Sequence, residues 1–238
     1  MAKNAHDTIR ESLESLKEFS EVILYLNNST DNTEEIAQEY QNVKIIHGYF
    51  DGFGDTKRRA STYSKNDWIL SLDSDEILNN KIVDEIENSD LSNSKILFKL
   101  KRNNYFLGYK TQSSDDIIRI YNRKYTNFNN NRVHEKIIIP NDATIITLKN
   151  SFKHLNITDI NQTLTKIIQY TDLGTENKKS CLFSLVILKS IFAFFKTYII
   201  EGNIIHGWVG FALAINSANK RYYKYIKLFL NCQKNKTV

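Results

Sequence analysis

Asp67-Trp68-Ile69-Leu70-Ser71-Leu72-Asp73-Ser74-Asp75-Glu76 is the stretch that decides how the chain reads. Its apolar run, Trp68, Ile69, Leu70 and Leu72, is too short for a free-standing helix and delivers three carboxylates within four residues. A buried strand reads this way when it ends at a site. Strand alternation puts Asp73 and Asp75 on one face, so both carboxylates can converge on one hard divalent cation, with positions left open for phosphate oxygens. The competing reading of so short a motif is a solvated strand-to-helix turn with a capping Asp.

Working upstream, Thr8 and Glu11 have capping-box spacing, and Ile9, Leu13, Leu16 and Phe19 form a helical stripe. Residues 21–26 read as a strand and 27–31 as the turn after it. Asp31 and Glu34 again have cap spacing, ahead of a helix with Ile36, Ala37 and Tyr40 on its inner face, and 43–46 is a further strand. This alternation predicts an α/β layered fold with a mostly parallel central sheet. Ligands in such sheets sit outside the carboxyl ends of the strands, so the 27–31 and 73–76 turns are expected on one edge. Between them lie Gly52, Gly54, Lys57, Arg58 and Arg59. Glycines that admit close backbone approach, followed by cations at the head of a helix, suit a diphosphate; the same segment also reads as a plain loop with a solvated basic turn.

Downstream, 96–100 and 117–121 read as strands, with Asn103, Asn104 and Gly108 in the connection. Val133-His134-Glu135 follows a polar Asn run, and a strand over 143–148 leads to His154. Beyond about residue 158 the chain turns helical and aromatic. The expected division is a catalytic domain over 1–157 and a helical, aromatic-rich, basic extension over 158–238.

A chain of 238 residues with 41% hydrophobic residues can bury a substantial core, which excludes intrinsic disorder. Cys181 and Cys232 have no metal-ligand spacing and suggest no disulfide framework, as in a reducing compartment. No apolar signal core opens the sequence, so the cytoplasm is the expected place. No apolar stretch is expected to span a membrane: the run over 181–200 is interrupted by Lys189 and Lys196, which suits a packed or interfacial helix. Net charge is +5, compatible with nucleic acid, an anionic membrane surface or a phosphorylated substrate. The basic residues are scattered and no recognition motif accompanies them, so nucleic acid is set aside. Two readings of the tail stay open: its Lys, Phe and Tyr residues rest on an anionic inner leaflet, or its aromatics cap the catalytic core.

Taken together, Asn-Ser-Thr-Asp-Asn-Thr over 28–33, Gly52-Phe53-Gly54 with Lys57 and Ala60, and the 67–76 stretch resemble the family 2 nucleotide-sugar glycosyltransferases. The nearest likeness is to the bacterial branch that builds lipopolysaccharide or lipooligosaccharide core. Val133-His134-Glu135 and the tail over 195–228, with Lys196, Tyr198, Gly202, Gly207, Lys224, Tyr225 and Lys227, look like that branch too. Coverage is nearly the whole chain.

The resemblance implies a GT-A fold, a nucleotide-diphosphate sugar donor, a lipid-linked or core oligosaccharide acceptor, and inversion at the anomeric carbon. It implies Mg2+ or Mn2+ at the Asp-x-Asp motif, on which Asp73 and Asp75 fall, Asp75 being favoured as the direct ligand. Asn4, Asn27, Asp31, Lys57 and Asp73 are the implied donor-binding residues. Glu135 is the natural base for the acceptor hydroxyl, with His134 orienting it or reaching the metal, and Asp115 and Asp116 are rival bases. His154 also matches a family histidine. The sequence departs from the family in two places. An apolar strand that family members carry just ahead of the Ala2-Lys3-Asn4 segment is missing, and Leu26 stands where an Asp usually binds the nucleotide base. A sheet lacking a central strand is expected to be marginally stable and weakly active or inactive, so the alternative to an enzyme is a truncated glycosyltransferase-like binding protein.

Overall fold

The computed structural model describes residues 1–176 and 178–234. The chain forms two compact units: the first comprises residues 1–103 and 114–155, the second 104–113 and 156 onward.

The first unit opens with α1 (Ile9–Glu14), β1 (Val22–Leu26), α2 (Thr33–Gln38), β2 (Val43–His47) and α3 (Phe53–Ser61). Next come β3 (Trp68–Leu70), β4 (Glu76–Ile77) and α4 (Asn80–Glu87), then the long strands β5 (Ile96–Phe106), β6 (Tyr109–Asn122) and β7 (Thr144–Ile157), whose ends at 104–113 and 156–157 belong to the second unit. The Asn79 side chain caps α4 by accepting the Ile82 N–H at 3.1 Å, and the helix buries Ile82, Val83 and Ile86 in a core with Phe98, Leu100, Ile120 and Phe152. Each such apolar side chain contributes roughly 1.5–3 kcal/mol. A second cluster joins Ile9 and Leu13 of α1 to Leu24 and Leu26 of β1 and to Ile36 and Ala37 of α2.

Two helix starts differ from their cap spacing. α1 has only six residues, and Thr8 makes no side-chain cap; its hydroxyl donates to the Ala5 carbonyl at 3.5 Å. The second helix begins at Thr33, held by the Asp31 carboxylate, which accepts the Thr33 N–H at 3.1 Å and hydroxyl at 2.6 Å.

The α/β class stands, but the sheet is mixed rather than mostly parallel. β1 and β2 pair in parallel, Val22 opposite Val43 through Leu26 opposite His47. The other strands order as β3-β6-β5-β7-β4, with β3–β6 and β4–β7 antiparallel. The reason is the link between β5 and β6: Leu107 and Gly108 both have positive φ, 49° and 80°. That pair is a two-residue hairpin turn, which can join only antiparallel strands.

Between the exposed edges of β1 and β3 lies a cavity of about 590 Å³. It is lined by Val22, Ile23 and Leu24 on one side, Trp68, Ile69 and Leu70 on the other, and Met1 at one end. β1 gains a single partner on this side: the Ala2 N–H donates to the Tyr25 carbonyl at 2.9 Å, and the Asn27 N–H donates to the Ala2 carbonyl at 3.0 Å, a parallel bridge. Among the described residues no other strand pairs with β1 on this side, and β3 is the end strand of its sheet. An unpaired backbone group, when buried, costs about 1–3 kcal/mol.

The second unit contains α5 (Ile160–Thr175), α6 (Phe183–Phe195), a π-helical turn (Lys196–Ile200), a 3₁₀ turn (Asn203–His206) and α7 (Gly207–Lys234). α6 packs along α7. Two expectations need correction here. Cys181, just ahead of α6, and Cys232, near the end of α7, form a disulfide with Cα atoms 5.4 Å apart. Their separation of 51 residues hid a proximity that helix packing creates, and the redox state of the compartment decides whether the bond persists. In addition, Phe183–Ile200 is by length and composition able to cross a membrane, and only 17% of it is buried.

An apolar extension of about five residues ahead of Met1 would continue the Ala2 bridge along β1 and fill the cavity. The expected result is a melting temperature raised by roughly 5 °C or more, with slowed amide exchange in β1 and β3. An extension that leaves both unchanged retires the strand-shaped reading of the cavity.

Candidate active site

The motif carboxylates stand in a turn. β3 ends at Leu70, and the Glu76 N–H donates to the Asp73 carbonyl at 3.0 Å, so strand alternation does not extend to Asp73 and Asp75. The two take different partners. Asp73 meets Lys57 through Oδ1 at 2.8 Å and Arg119 through Oδ2 at 3.0 Å. Burial by itself raises the Asp73 pKa, but Lys57 and Arg119 outweigh it and hold the carboxyl well below its ordinary range. Asp75 lies 3.5 Å from Nε2 of His154, because β4 and β7 pair with Glu76 opposite His154.

Around Asp73 runs a ladder of alternating charge. Glu135 Oε1 accepts from Lys57 Nζ at 2.7 Å; Lys57 reaches Asp73, Asp73 reaches Arg119, and Arg119 donates to Glu76. From Glu76 the ladder continues through Arg102 at 3.2 Å to Asp115 at 3.0 Å. Glu76 is fully buried and Lys57 nearly so. Through its other oxygen Glu76 also accepts the Asp73 N–H at 3.0 Å, which fixes the turn that carries the motif. Sequence reasoning missed Arg102 and Arg119. The available signal was a single Arg between Ile118 and Ile120 in an apolar strand, since a cation there needs an anion on the same face.

The glycines act on the protein's own backbone. Gly52 has φ 114°, and a Cβ on Gly54 would stand 2.0 Å from the Asn129 carbonyl oxygen. The Phe53 and Gly54 N–H groups donate to the carbonyls of Arg132 and Asn131, each at 3.1 Å. The head of α3 is therefore tied to the 129–132 segment, which brings Lys57 beneath Glu135. Arg58 pairs with Asp55 and Asn130, and Arg59 with Asp51 while stacking on Tyr49.

Other sequence-predicted residues gather at the 27–33 turn. Asn4, at φ 50°, accepts the Thr30 N–H at 2.8 Å and donates its own N–H to Ser29 Oγ at 3.1 Å. Asn27 is held by Ala2. Asp31 accepts from Thr33 and from both the N–H and the ring of His6. His134 is exposed in a loop at φ 59°. Asp115 ends the ladder, and Asp116 is exposed.

Among the described residues, no group of three or more His, Cys, Asp and Glu side chains is arranged to hold a metal. The donor set still fits a divalent ion that keeps open positions. Asp75 with the neighbouring His154 offers oxygen and nitrogen, and the balance of a Mg2+ or Mn2+ shell comes from water and substrate phosphate. Both Asp73 oxygens are taken by cations.

An α/β unit with an Asp-x-Asp turn at a strand end, braced from beneath, belongs to the class of GT-A-type glycosyltransferases. The family model described as Glycosyl transferase family 2 matches residues 1–155, and the chain belongs to that family. An uncharacterized glycosyltransferase of Rickettsia felis is 28% identical over 258 residues, covering 100% of this chain and 90% of that protein. One of Rickettsia conorii is 27% identical, covering 100% and 91%. Among solved structures, S. aureus TarS 1-349 covers 98% of this chain and 90% of its own, at 14% identity and a TM-score of 0.44. The same fragment in complex with UDP-GlcNAc gives 13% identity and a TM-score of 0.39. At that distance the likeness assigns no residue a role.

Two substitutions test the charge ladder and the 27–33 turn. Arg119→Met leaves Asp73 and the fully buried Glu76 short of a cation and should cost about 3 kcal/mol in urea denaturation; a loss under roughly 0.5 kcal/mol refutes a structural ladder. For Asp31, burial alone would raise the pKa, but the hydrogen bonds from Thr33 and His6 prevail and lower it from 3.8 to about 2. A depressed carboxylate pKa contributes stability that is full above the unfolded value and disappears as pH falls through the folded one. Asp31→Asn should therefore destabilise at pH 7 and approach parity with the parent near pH 2. An equal gap at both pH values contradicts this.

Proposed function

We propose that the chain transfers a sugar, with inversion, from a nucleotide-diphosphate donor to a lipid-linked or core oligosaccharide of the lipopolysaccharide type, in the cytoplasm. Glycosyl transfer is the chemistry of its family; the donor, the acceptor and the residue roles are the proposal. The observation that carries it is the pairing of Glu135 with Lys57 on the ladder that also holds Asp73.

Lys57 engages one oxygen of Glu135, and among the described residues no hydrogen bond occupies the other. Glu135 is thus oriented, with an oxygen available for an acceptor hydroxyl. The hydroxyl proton passes to the Glu135 carboxylate as its oxygen forms a bond to the anomeric carbon. The bond from that carbon to the diphosphate breaks on the opposite face, and the diphosphate leaves with the electron pair. Asp75 and His154 would hold a Mg2+ or Mn2+ ion, which supplies charge neutralisation of the departing diphosphate. Asp73 is paired with Lys57 and Arg119, and Glu76, by accepting the Asp73 N–H, fixes the turn that presents Asp75. Asn4, Asn27 and Asp31 shape the turn at which the nucleotide is received.

A binding protein without turnover is favoured by two observations: the cavity between β1 and β3, and Leu26 buried at the end of β1.

Nucleotide-sugar hydrolysis or transfer should require Mg2+ or Mn2+ and be abolished by Asp75→Ala, whereas full activity in excess chelator would sink the metal role. Glu135→Gln should lower turnover roughly a hundredfold or more while donor affinity, measured by calorimetry, stays within a few-fold. A parallel loss of affinity makes Glu135 a binding residue. Tight donor binding with no turnover for any nucleotide sugar selects the binding-protein reading.

A further inference from the structure

The second unit departs from the usual rule for a helix packed on a protein. At 100° per residue, Phe183, Ile187, Ile191, Phe195 and Leu188 of α6 share one broad face. They are exposed, while Val186 and Ala193 opposite them are buried. Past the helix, Ile205 is 73% exposed and Trp208, whose ring meets that of Tyr109 edge-on, 65% exposed. An exposed apolar helix face of this kind marks an interaction site.

Along one edge of that face the chemistry changes. Lys189 and Lys196, seven residues apart, lie on the same side of the helix beside Phe192. With Lys220, Arg221 and Tyr225 of α7 they line a cavity of about 430 Å³. Glu201 is the one carboxylate among its lining residues, paired with Lys196 at 3.4 Å. Four cations against one carboxylate leave a site with excess positive charge. Burial, together with the neighbouring charges of Arg221 and Lys224, pushes the Lys220 ammonium below its ordinary value, so the cluster gains by taking an anion.

We propose that the second unit docks on an anionic phospholipid bilayer, with a headgroup phosphate in the Lys189–Lys196–Lys220–Arg221 cavity and the α6 face with Ile205 and Trp208 in the acyl boundary. A basic cavity bordering an apolar face matches a surface that is anionic at headgroup depth and hydrocarbon beneath it. The same charges argue for lying on the bilayer rather than crossing it. α7 packs along α6 and carries Lys220, Arg221, Lys224 and Lys227 within its length, and charges in mid-helix are costly in hydrocarbon. The docking depends on neither the donor nor the acceptor and is independent of turnover.

The test is flotation of the full chain with phosphatidylcholine vesicles, with and without phosphatidylglycerol. Binding to the anionic vesicles should be at least tenfold stronger and should fall as salt rises. Acyl-brominated lipid should quench Trp208 fluorescence, with Trp208→Phe as the control. The double substitution Lys189→Gln with Arg221→Gln should weaken binding roughly tenfold or more. Should that variant fail to fold, the lipid, salt and quenching results on the parent chain decide. Equal binding to neutral vesicles, resistance to alkaline carbonate extraction, or a stable dimer that shields Trp208 and ignores vesicles would each overturn the proposal.

Discussion

Charge compensation in a place with little water is the constraint on which the first unit depends. Glu76 is fully buried at the start of β4 and draws Arg119 and Arg102 toward it. An unpaired carboxylate in that position would cost several kcal/mol, so the arginines are obligatory rather than ornamental. Once they are present, Asp73 and Asp115 take further donors of the two guanidinium groups, while the buried Nε of each has no hydrogen-bond partner among the described residues. Lys57, nearly buried, then balances Asp73 and Glu135. Each charge accounts for the next, and the ladder ties α3, β5, β6, the motif turn and the Glu135 loop into one electrostatic unit.

This also explains why two carboxylates of one short motif behave differently. Asp73 sits inside the ladder, one oxygen on Lys57 and the other on Arg119. Asp75, two residues on, lies outside the ladder beside His154. Identity and spacing in the sequence are symmetric; the environment is not. The glycines make a comparable point. Their lack of a Cβ is used to press α3 against the carbonyls of 129–132, and the consequence is delivered at Lys57, three residues past Gly54.

The second unit is built on the opposite balance. α6 turns its small residue Ala193 and the aliphatic Val186 inward and leaves larger aromatic and aliphatic groups in the open. Hydrophobic burial is available to those groups only through something beyond the described chain. The Cys181–Cys232 bond closes the end of this unit where α7 finishes.

Several features were legible in the sequence because they are local. β1, β2 and the apolar run of β3 announce themselves by β-branched and aliphatic residues between turn signals, whereas α4, capped by Asn79, was not read from the sequence. The Asp-x-Asp turn, the Lys57 segment and the Glu135 loop could be singled out, and the family with them. The register of charges could not be read, because Arg102 and Arg119 meet Glu76 across separate strands, 26 and 43 residues away. The mixed sheet turned on whether Leu107 and Gly108 close a hairpin. The cysteine pair turned on helix packing, and the exposure of α6 on which face its neighbours cover. Sequence by itself determined which side chains are candidates for chemistry and where several of the strands and helices fall, since both follow from side-chain type and short-range periodicity. Tertiary structure alone decided which charge faces which and which apolar face stays uncovered, since Coulomb interaction and burial depend on distance in space rather than along the chain.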